Sequence, residues 1–196
     1  MGLVEDNKEK FIKIYEENIK REGADKLLEY LKATDFFTAP ASTRYHGNYD
    51  GGLCAHSINT YERFVELVEE YSETKYSSEV IAICGLLHDI CKVQFYKKGF
   101  RNVKDEDTGK WIKKEIYEIS ENFPCGHSEK SVILLQAFIK LETDVILSIR
   151  AHMGSFDSDA RAGGYLISNI FEKCKLAVLL HEADLLATYI NEAKTE

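Results

Sequence analysis

Apolar residues recur at helical spacing from the start of the chain. Phe11, Ile14, Tyr15 and Ile19, followed by Leu27, Leu28 and Leu31, predict two amphipathic helices parted near Gly23. Pro40 and the run from Gly47 to Gly52 (GNYDGG) predict a loop. A helix follows from about Leu53 to Glu70, with Ile58, Tyr61, Val65 and Val68 on its inner stripe. Residues 78–91, SEVIAICGLLHDIC, are apolar nearly all round, which predicts a helix at the centre of a core. The helical pattern breaks between Val93 and Phe123, where alternating residues flank Asp107-Thr108-Gly109 and predict a β-hairpin around residues 95–120. Further helices are expected at 127–141, 143–153, about 165–172 and 174–191. With no internal repeat and no linker, the expectation is one all-α bundle over residues 1–196 carrying a single small hairpin insertion.

Composition narrows the function classes. The 33 acids against 25 bases leave a net charge of -8, which disfavours a wide nucleic-acid-binding face or attraction to an anionic membrane. No apolar stretch reaches membrane-spanning length, and the first residues are charged where a signal peptide is apolar. Five cysteines, an odd number without a CxxC pair, suit reduced thiols in the cytoplasm, each read as a small buried hydrophobe. Neither a GxSxG elbow nor a GxxxxGK loop is present, so serine hydrolysis and nucleotide-driven ATPase chemistry lack support.

The chemistry lies in where the six histidines and two aspartates fall. His88-Asp89 interrupts the apolar run from Ile83 to Cys91, which places a carboxylate inside a buried helix, and Asp184 does the same in LAVLLHEADLLATY. An unpaired buried carboxylate costs several kcal/mol or is neutralised by a shifted pKa. A lone His-Asp in a core is ordinarily a hydrogen-bonded pair. A second buried aspartate and further histidines favour a metal ion instead, and imidazole with carboxylate suits divalent transition metals better than magnesium.

These residues resemble the HD superfamily of metal-dependent phosphohydrolases, whose pattern is an upstream His, a His-Asp dipeptide and a distant Asp. Those positions are His56 in GGLCAHS, His88-Asp89 in LLHDICK and Asp184 in HEADLLATY. The blocks RYHGNYDGGLCAHSINTYE, FRNVKDEDTGKW, FPCGHSEKSV, IRAHMG and LAVLLHEADLLATY extend the resemblance over residues 44–189, towards the small HD hydrolases of bacteria and phage. It implies an HD-domain helical bundle in which His56, His88, Asp89 and Asp184 hold one ion. Asp89 would bridge to a second ion held by His127 and His152. Two ions about 3.5–4 Å apart share a hydroxide and clamp the oxygens of an in-line phosphoryl displacement. Manganese, iron, cobalt or nickel are expected ahead of zinc or magnesium, and the implied partner is a small phosphorylated substrate, a nucleotide. The rival readings are a mononuclear nucleotide phosphatase, a single-stranded nucleic-acid exonuclease and a non-catalytic nucleotide sensor.

Further residues carry a functional reading beside a plainer one. Lys92 matches the lysine of HD-x-x-K variants, catalytic with Asp89 through neutralising a phosphate oxygen, or is a surface lysine at a helix end. Cys91 stands where many relatives have glycine. His127 is a ligand or a helix-start cap, and His152 a ligand or a histidine at the negative end of a helix dipole. Arg44 and His46 are placed at the pocket mouth. Lys97, Lys98 and Arg101 form a local positive cluster for a phosphorylated substrate, with Tyr96 or Trp111 to stack on a base, or else belong to a solvated hairpin with Trp111 as cross-strand anchor. Arg161, beside Gly163-Gly164, is a candidate phosphate clamp. Arg150 points away from His152 on a straight helix. His181, three residues before Asp184 on the same face, is read as a partner orienting that carboxylate or as a core histidine.

Overall fold

The computed structural model describes residues 2–105 and 108–193. Helix α1 (Leu3–Asn18) buries Phe11 and Tyr15, and α2 (Ala24–Ala33) buries Leu27, Leu28 and Leu31, as their spacing predicts. Gly23 parts them at φ 90°, in the left-handed region that glycine enters without penalty. The long α3 (Gly52–Tyr71) packs against α4 (Ser78–Leu87) and α9 (Lys175–Leu186). Gly85 permits the first of these contacts, because a Cβ there would lie 2.7 Å from the Tyr61 Cα. Ser77 starts α4 by accepting a hydrogen bond from the Val80 N–H at 3.2 Å. The remaining helices are α5 (His127–Gln136), α6 (Thr143–Ala151), α7 (Ser158–Arg161) and α8 (Leu166–Lys173). The core runs between them through Phe11, Phe36, Phe64, Leu86, Val145 and Leu180, each fully buried. Burial of such side chains contributes about 1.5–3 kcal/mol apiece.

Three expectations need correction. The inner stripe of α3 takes Phe64, not Val65, which is only half-buried. Ser57 and Thr60 are fully buried beside that stripe. Second, the run expected as a helix over 127–141 leaves helical geometry after Gln136, yet Ile139 and Leu141 are still buried in the irregular segment beyond. Buried apolar residues in a turn mimic helix periodicity. Third, α9 ends at Leu186, and Ala187–Asn191 form a π-helical turn instead of continuing the expected helix to 191.

The hairpin is present as β1 (Tyr96–Lys104) and β2 (Trp111–Ile119), antiparallel, in the register Tyr96↔Ile119 through Lys104↔Trp111. Of its expected turn, Asp107 lies outside the described residues, while Gly109 has φ 67°. Trp111 is 72 % exposed opposite Lys104, so it anchors nothing in the core. The hairpin is rooted at its other end: Tyr117 donates to the Asp50 carboxylate, Lys98 lies 3.2 Å from it, and the Tyr96 hydroxyl donates to the Ala41 carbonyl at 3.3 Å. These bonds fasten it to the loop that leads into α3. Among the described residues, no helix is long and apolar enough to cross a membrane.

Candidate metal centre

Six side chains, three from helices and three from just beyond the ends of two others, meet at one point in the core. His56 comes from the second turn of α3, His127 is the first residue of α5, and Asp184 lies in α9. His88 and His152 hold equivalent places, each the residue that follows the last helical residue of α4 and α6. The last carbonyls of a helix lack amide partners. The His88 Nδ1–H donates to the Gly85 carbonyl at 3.0 Å, and the His152 Nδ1–H to the Ile149 carbonyl at 2.7 Å, each three residues back. The expected helix over 78–91 therefore ends at Leu87, so Asp89 is not within it. Asp89 has φ -104° and ψ 18°, in the bridge region frequented by active-site residues. Ile90–Lys92 then form a 3₁₀ turn, in which residues three apart eclipse. That geometry sets the Lys92 Nζ 2.6 Å from Asp89 Oδ2.

The two oxygens of Asp89 face different histidines. Oδ2 lies 3.6 Å from His88 Nε2 and 3.7 Å from His56 Nε2, whereas Oδ1 lies 2.7 Å from His127 Nε2 and 3.5 Å from His152 Nε2. Asp184 Oδ1 is 3.2 Å from His56 Nε2. The opposite face of His56 is held by Glu192, whose Oε1 accepts from His56 Nδ1 at 3.0 Å and from Asn59 at 3.0 Å. The π-helical turn after α9 brings Glu192 there, with its N–H bonded to the Ala187 carbonyl. Such turns recur at functional sites.

Burial and charge set the protonation states. Burial, reinforced by neighbouring His152 and His56, lowers the His88 pKa to about 4. Burial also opposes charge on His56, but the carboxylates of Asp184 and Glu192 raise it to about 10. At His127, burial is likewise outweighed, by Cys91 and Asp89, and the pKa reaches about 10. Asp89 is held well below the usual carboxylate range despite burial, first by Lys92 and then by His88 and His127. Lys92 is correspondingly held cationic by Asp89.

The donor set fits a metal. The Nε2 atoms of His56, His88 and His152 are buried without a hydrogen-bond partner. Buried polar atoms are ordinarily satisfied, and three orphans aimed at two carboxylates call for a cation between them. In each ring the Nδ1–H is already committed to an acceptor, which leaves Nε2 as the inward-facing nitrogen that a metal would take, on His56 by displacing its proton. Groups of potential donors within 4.8 Å of one another are His46, His56 and Glu192; His56, His88 and Asp184; His88, Asp89 and His152; and Asp89, Cys91 and His127.

The family model for the HD domain matches residues 53–189. The chain belongs to the HD domain family. HD domains are generally metal-dependent hydrolases that bind divalent ions, and this buried His/Asp cluster is one that can hold them. No curated protein and no solved structure matches the chain.

Within this HD domain the structure brings His56, His88, Asp89, His127, His152 and Asp184 together, with Lys92 among them. His46 lies nearer than the pocket mouth: its ring centroid is 4.8 Å from that of His56, its Nε2 is buried without a partner, and burial lowers its pKa to about 4. The other expected substrate groups stay outside. Arg44 is exposed, Lys97 reaches only Glu118 at 3.9 Å, Arg101 sits opposite Lys114 in the hairpin, and Arg161 closes the exposed α7. Among the described residues, no hydrogen bond or ion pair ties any of these four to the cluster.

His181 does not orient Asp184. Its Nδ1–H donates to the backbone carbonyl of His152 at 2.6 Å, because its ring packs over Gly154, where a Cβ would collide with it. It supports the loop that presents His152. Arg150 does point away from His152, pairing with Asp157 at 2.7 Å and Glu129 at 2.7 Å, which ties α6 to the first turn of α5. Sequence reasoning missed Glu192 and the placement of Cys91. No spacing signals Glu192, since the π turn shifts the register after α9. Cys91 offered one signal, its position two residues beyond Asp89.

Proposed function

We propose that this HD domain is a phosphohydrolase with two metal ions, acting on a phosphomonoester or phosphodiester bond of a small phosphorylated substrate, a nucleotide. The arrangement of Asp89 carries the reading. One of its oxygens faces His56 and His88, the other faces His127 and His152, as a carboxylate shared between two ions requires. His56, His88 and Asp184 would complete one ion's set with Asp89, and His127 and His152 the other's. When bound, the ions supply a nucleophilic hydroxide at neutral pH and charge for the phosphoryl oxygens.

The remaining roles belong to the chain itself. Lys92, held cationic and pinned to Asp89, places a positive charge where a phosphoryl oxygen arrives. His46, neutral at pH 7, brings a buried Nε2 without a partner beside the centre, a group that can bond a substrate oxygen. We read the 196 residues as one HD unit, and its five free thiols as those of a cytoplasmic protein. Imidazole and carboxylate donors point to manganese, iron, cobalt or nickel.

The test is metal content by elemental mass spectrometry on protein purified without chelator, followed by a phosphoester screen. About two ions per chain, and hydrolysis of a mono-, di- or triphosphonucleotide or a cyclic dinucleotide, are expected. His127→Ala or His152→Ala should leave one ion and little turnover. One ion in the wild type, with full activity in those variants, would make the enzyme mononuclear. No ion after reloading with manganese, iron, cobalt or nickel would sink the enzymatic reading.

One observation favours a second substrate. One face of the hairpin exposes Phe100 and Trp111 with Lys104 and Lys113, whose Nζ lies 5.0 Å from the Phe100 ring centroid, a surface on which single-stranded nucleic acid can stack. Activity on oligonucleotides that collapses with rising salt would select that reading.

A further inference from the structure

Cys91 does not sit where a merely space-filling thiol would. It is buried, and its Sγ lies 3.4 Å from His127 Nδ1 and 3.6 Å from His127 Nε2. Its backbone N–H donates to the Ser131 hydroxyl of α5 at 3.2 Å, which fixes the 3₁₀ turn against the helix that carries His127. Donor atoms of Cys91, Asp89 and His127 all lie within 4.8 Å of one another. The fourth side of this group is His152, fully buried, with its unpartnered Nε2 3.5 Å from Asp89 Oδ1. Cys54, Cys84 and Cys174 are buried elsewhere, and Cys125 is exposed; among the described residues, none of the four belongs to a cluster of potential ligands.

We propose that Cys91 is a thiolate ligand of the second metal ion, joining Asp89, His127 and His152 and leaving a further position for the hydroxide. The proposal rests on the reading of this cluster as a metal centre. Sulfur and nitrogen ligands of one ion, bound at about 2.3 Å and about 2.0–2.1 Å and separated by about 110°, stand about 3.5 Å apart. The 3.6 Å between Cys91 Sγ and His127 Nε2 has that length. On binding, the Cys91 thiol and the His127 imidazolium would each release a proton to solvent, and the sulfur and Nε2 lone pairs so freed would hold the ion. A soft sulfur donor at this half of the site selects thiophilic ions such as zinc, cobalt or iron and works against magnesium and manganese. The first half, built from imidazole and carboxylate alone, carries no such bias. The two ions therefore need not be alike.

The test uses cobalt(II) alone, titrated into the full-length, chelator-stripped protein in a Cys125→Ser background that removes the exposed thiol. Bound cobalt reports itself through visible d–d bands, and a cobalt–thiolate bond adds a separate near-ultraviolet charge-transfer band. The expected result is both sets of bands, with Cys91→Ser abolishing the near-ultraviolet band and keeping visible bands. Visible bands without the near-ultraviolet band, or a near-ultraviolet band that survives Cys91→Ser, would overturn the assignment while leaving the metal centre standing. No cobalt bands at all would overturn both. X-ray absorption on the cobalt-loaded protein needs no variant at Cys91 and reads the same bond directly. A sulfur scatterer at about 2.3 Å supports it, and a first shell of oxygen and nitrogen alone refutes it.

Discussion

Replacing Asp89 by Asn keeps the shape of the side chain and removes its charge, so it isolates what the carboxylate does. Its Oδ2 is 2.6 Å from the Lys92 ammonium, and both groups are buried. Breaking a buried pair from one side costs about 3–5 kcal/mol, because the partner charge is left without compensation. In a chain of this size each kcal/mol moves the melting temperature by about 2–4 °C, so the metal-free variant should melt about 6–20 °C lower. His127 loses a partner as well, but its side chain is 30 % exposed and water screens part of that loss. The decisive comparison adds Lys92→Met. With both charges gone, the double variant should recover part of the loss, a coupling of about 2–3 kcal/mol in a double-mutant cycle read by urea denaturation of the metal-free proteins. Elemental analysis of the same Asp89→Asn protein should find neither ion. A cost below about 1 kcal/mol, or energies that simply add, would refute the pairing argument. Two retained ions would refute Asp89 as the shared ligand.

Glu192→Ala should weaken binding of the ion held by His56 about 10–100-fold without unfolding the chain, since second-sphere partners of metal-binding histidines are worth that much; competition with a chromophoric chelator measures it, and an unchanged affinity would show that His56 needs no help. The metal-free protein should be most stable near pH 6.5. His88 is held at about 4 against an unfolded value of about 6.5, so its contribution is present above about 6.5 and is lost as pH falls through 4. His56 is raised to about 10, so its contribution is complete below about 6.5 and is lost as pH rises through 10. Melting temperatures across pH 4–10 check both arms, and bound metal should flatten the alkaline one by displacing the His56 proton. A metal-free protein that grew steadily more stable from about pH 7 to 10 would contradict the assignment.

Helix after helix was legible because amphipathic periodicity is a local signal: Phe11 to Ile19, Leu27 to Leu31 and the apolar run before His88 all lie in helices or at their ends. The hairpin was legible for the same reason, through alternation on either side of a turn. The errors fell where packing overrides local pattern. Phe64, not Val65, faces inward because α3 is enclosed by α4 and α9, and Ile139 and Leu141 are buried without being helical. The end of α4 was missed because Ile90 and Cys91 continue the apolar run while the backbone has already turned into a 3₁₀ geometry. His181 lay on the expected helical face, yet that face meets the loop after α6 before it meets the centre.

What the sequence determined by itself is that its ligands must meet. Asp89 and Asp184 interrupt two of the most apolar runs, and a buried carboxylate is too costly to stand without a partner of opposite charge. The resemblance to HD hydrolases, not composition, named His56, His88, His127 and His152 as their company. Only the tertiary structure decided which atom faces which. Nδ1 of His88 and of His152 is claimed by a helix-end carbonyl three residues back, and Nδ1 of His56 by a glutamate 136 residues away. Their Nε2 atoms are left to point inward, and the thiol of Cys91 comes within reach of His127 because a tight turn and α5 share a hydrogen bond. Those choices depend on where helices stop and how they pack, and no pattern confined to one segment records either.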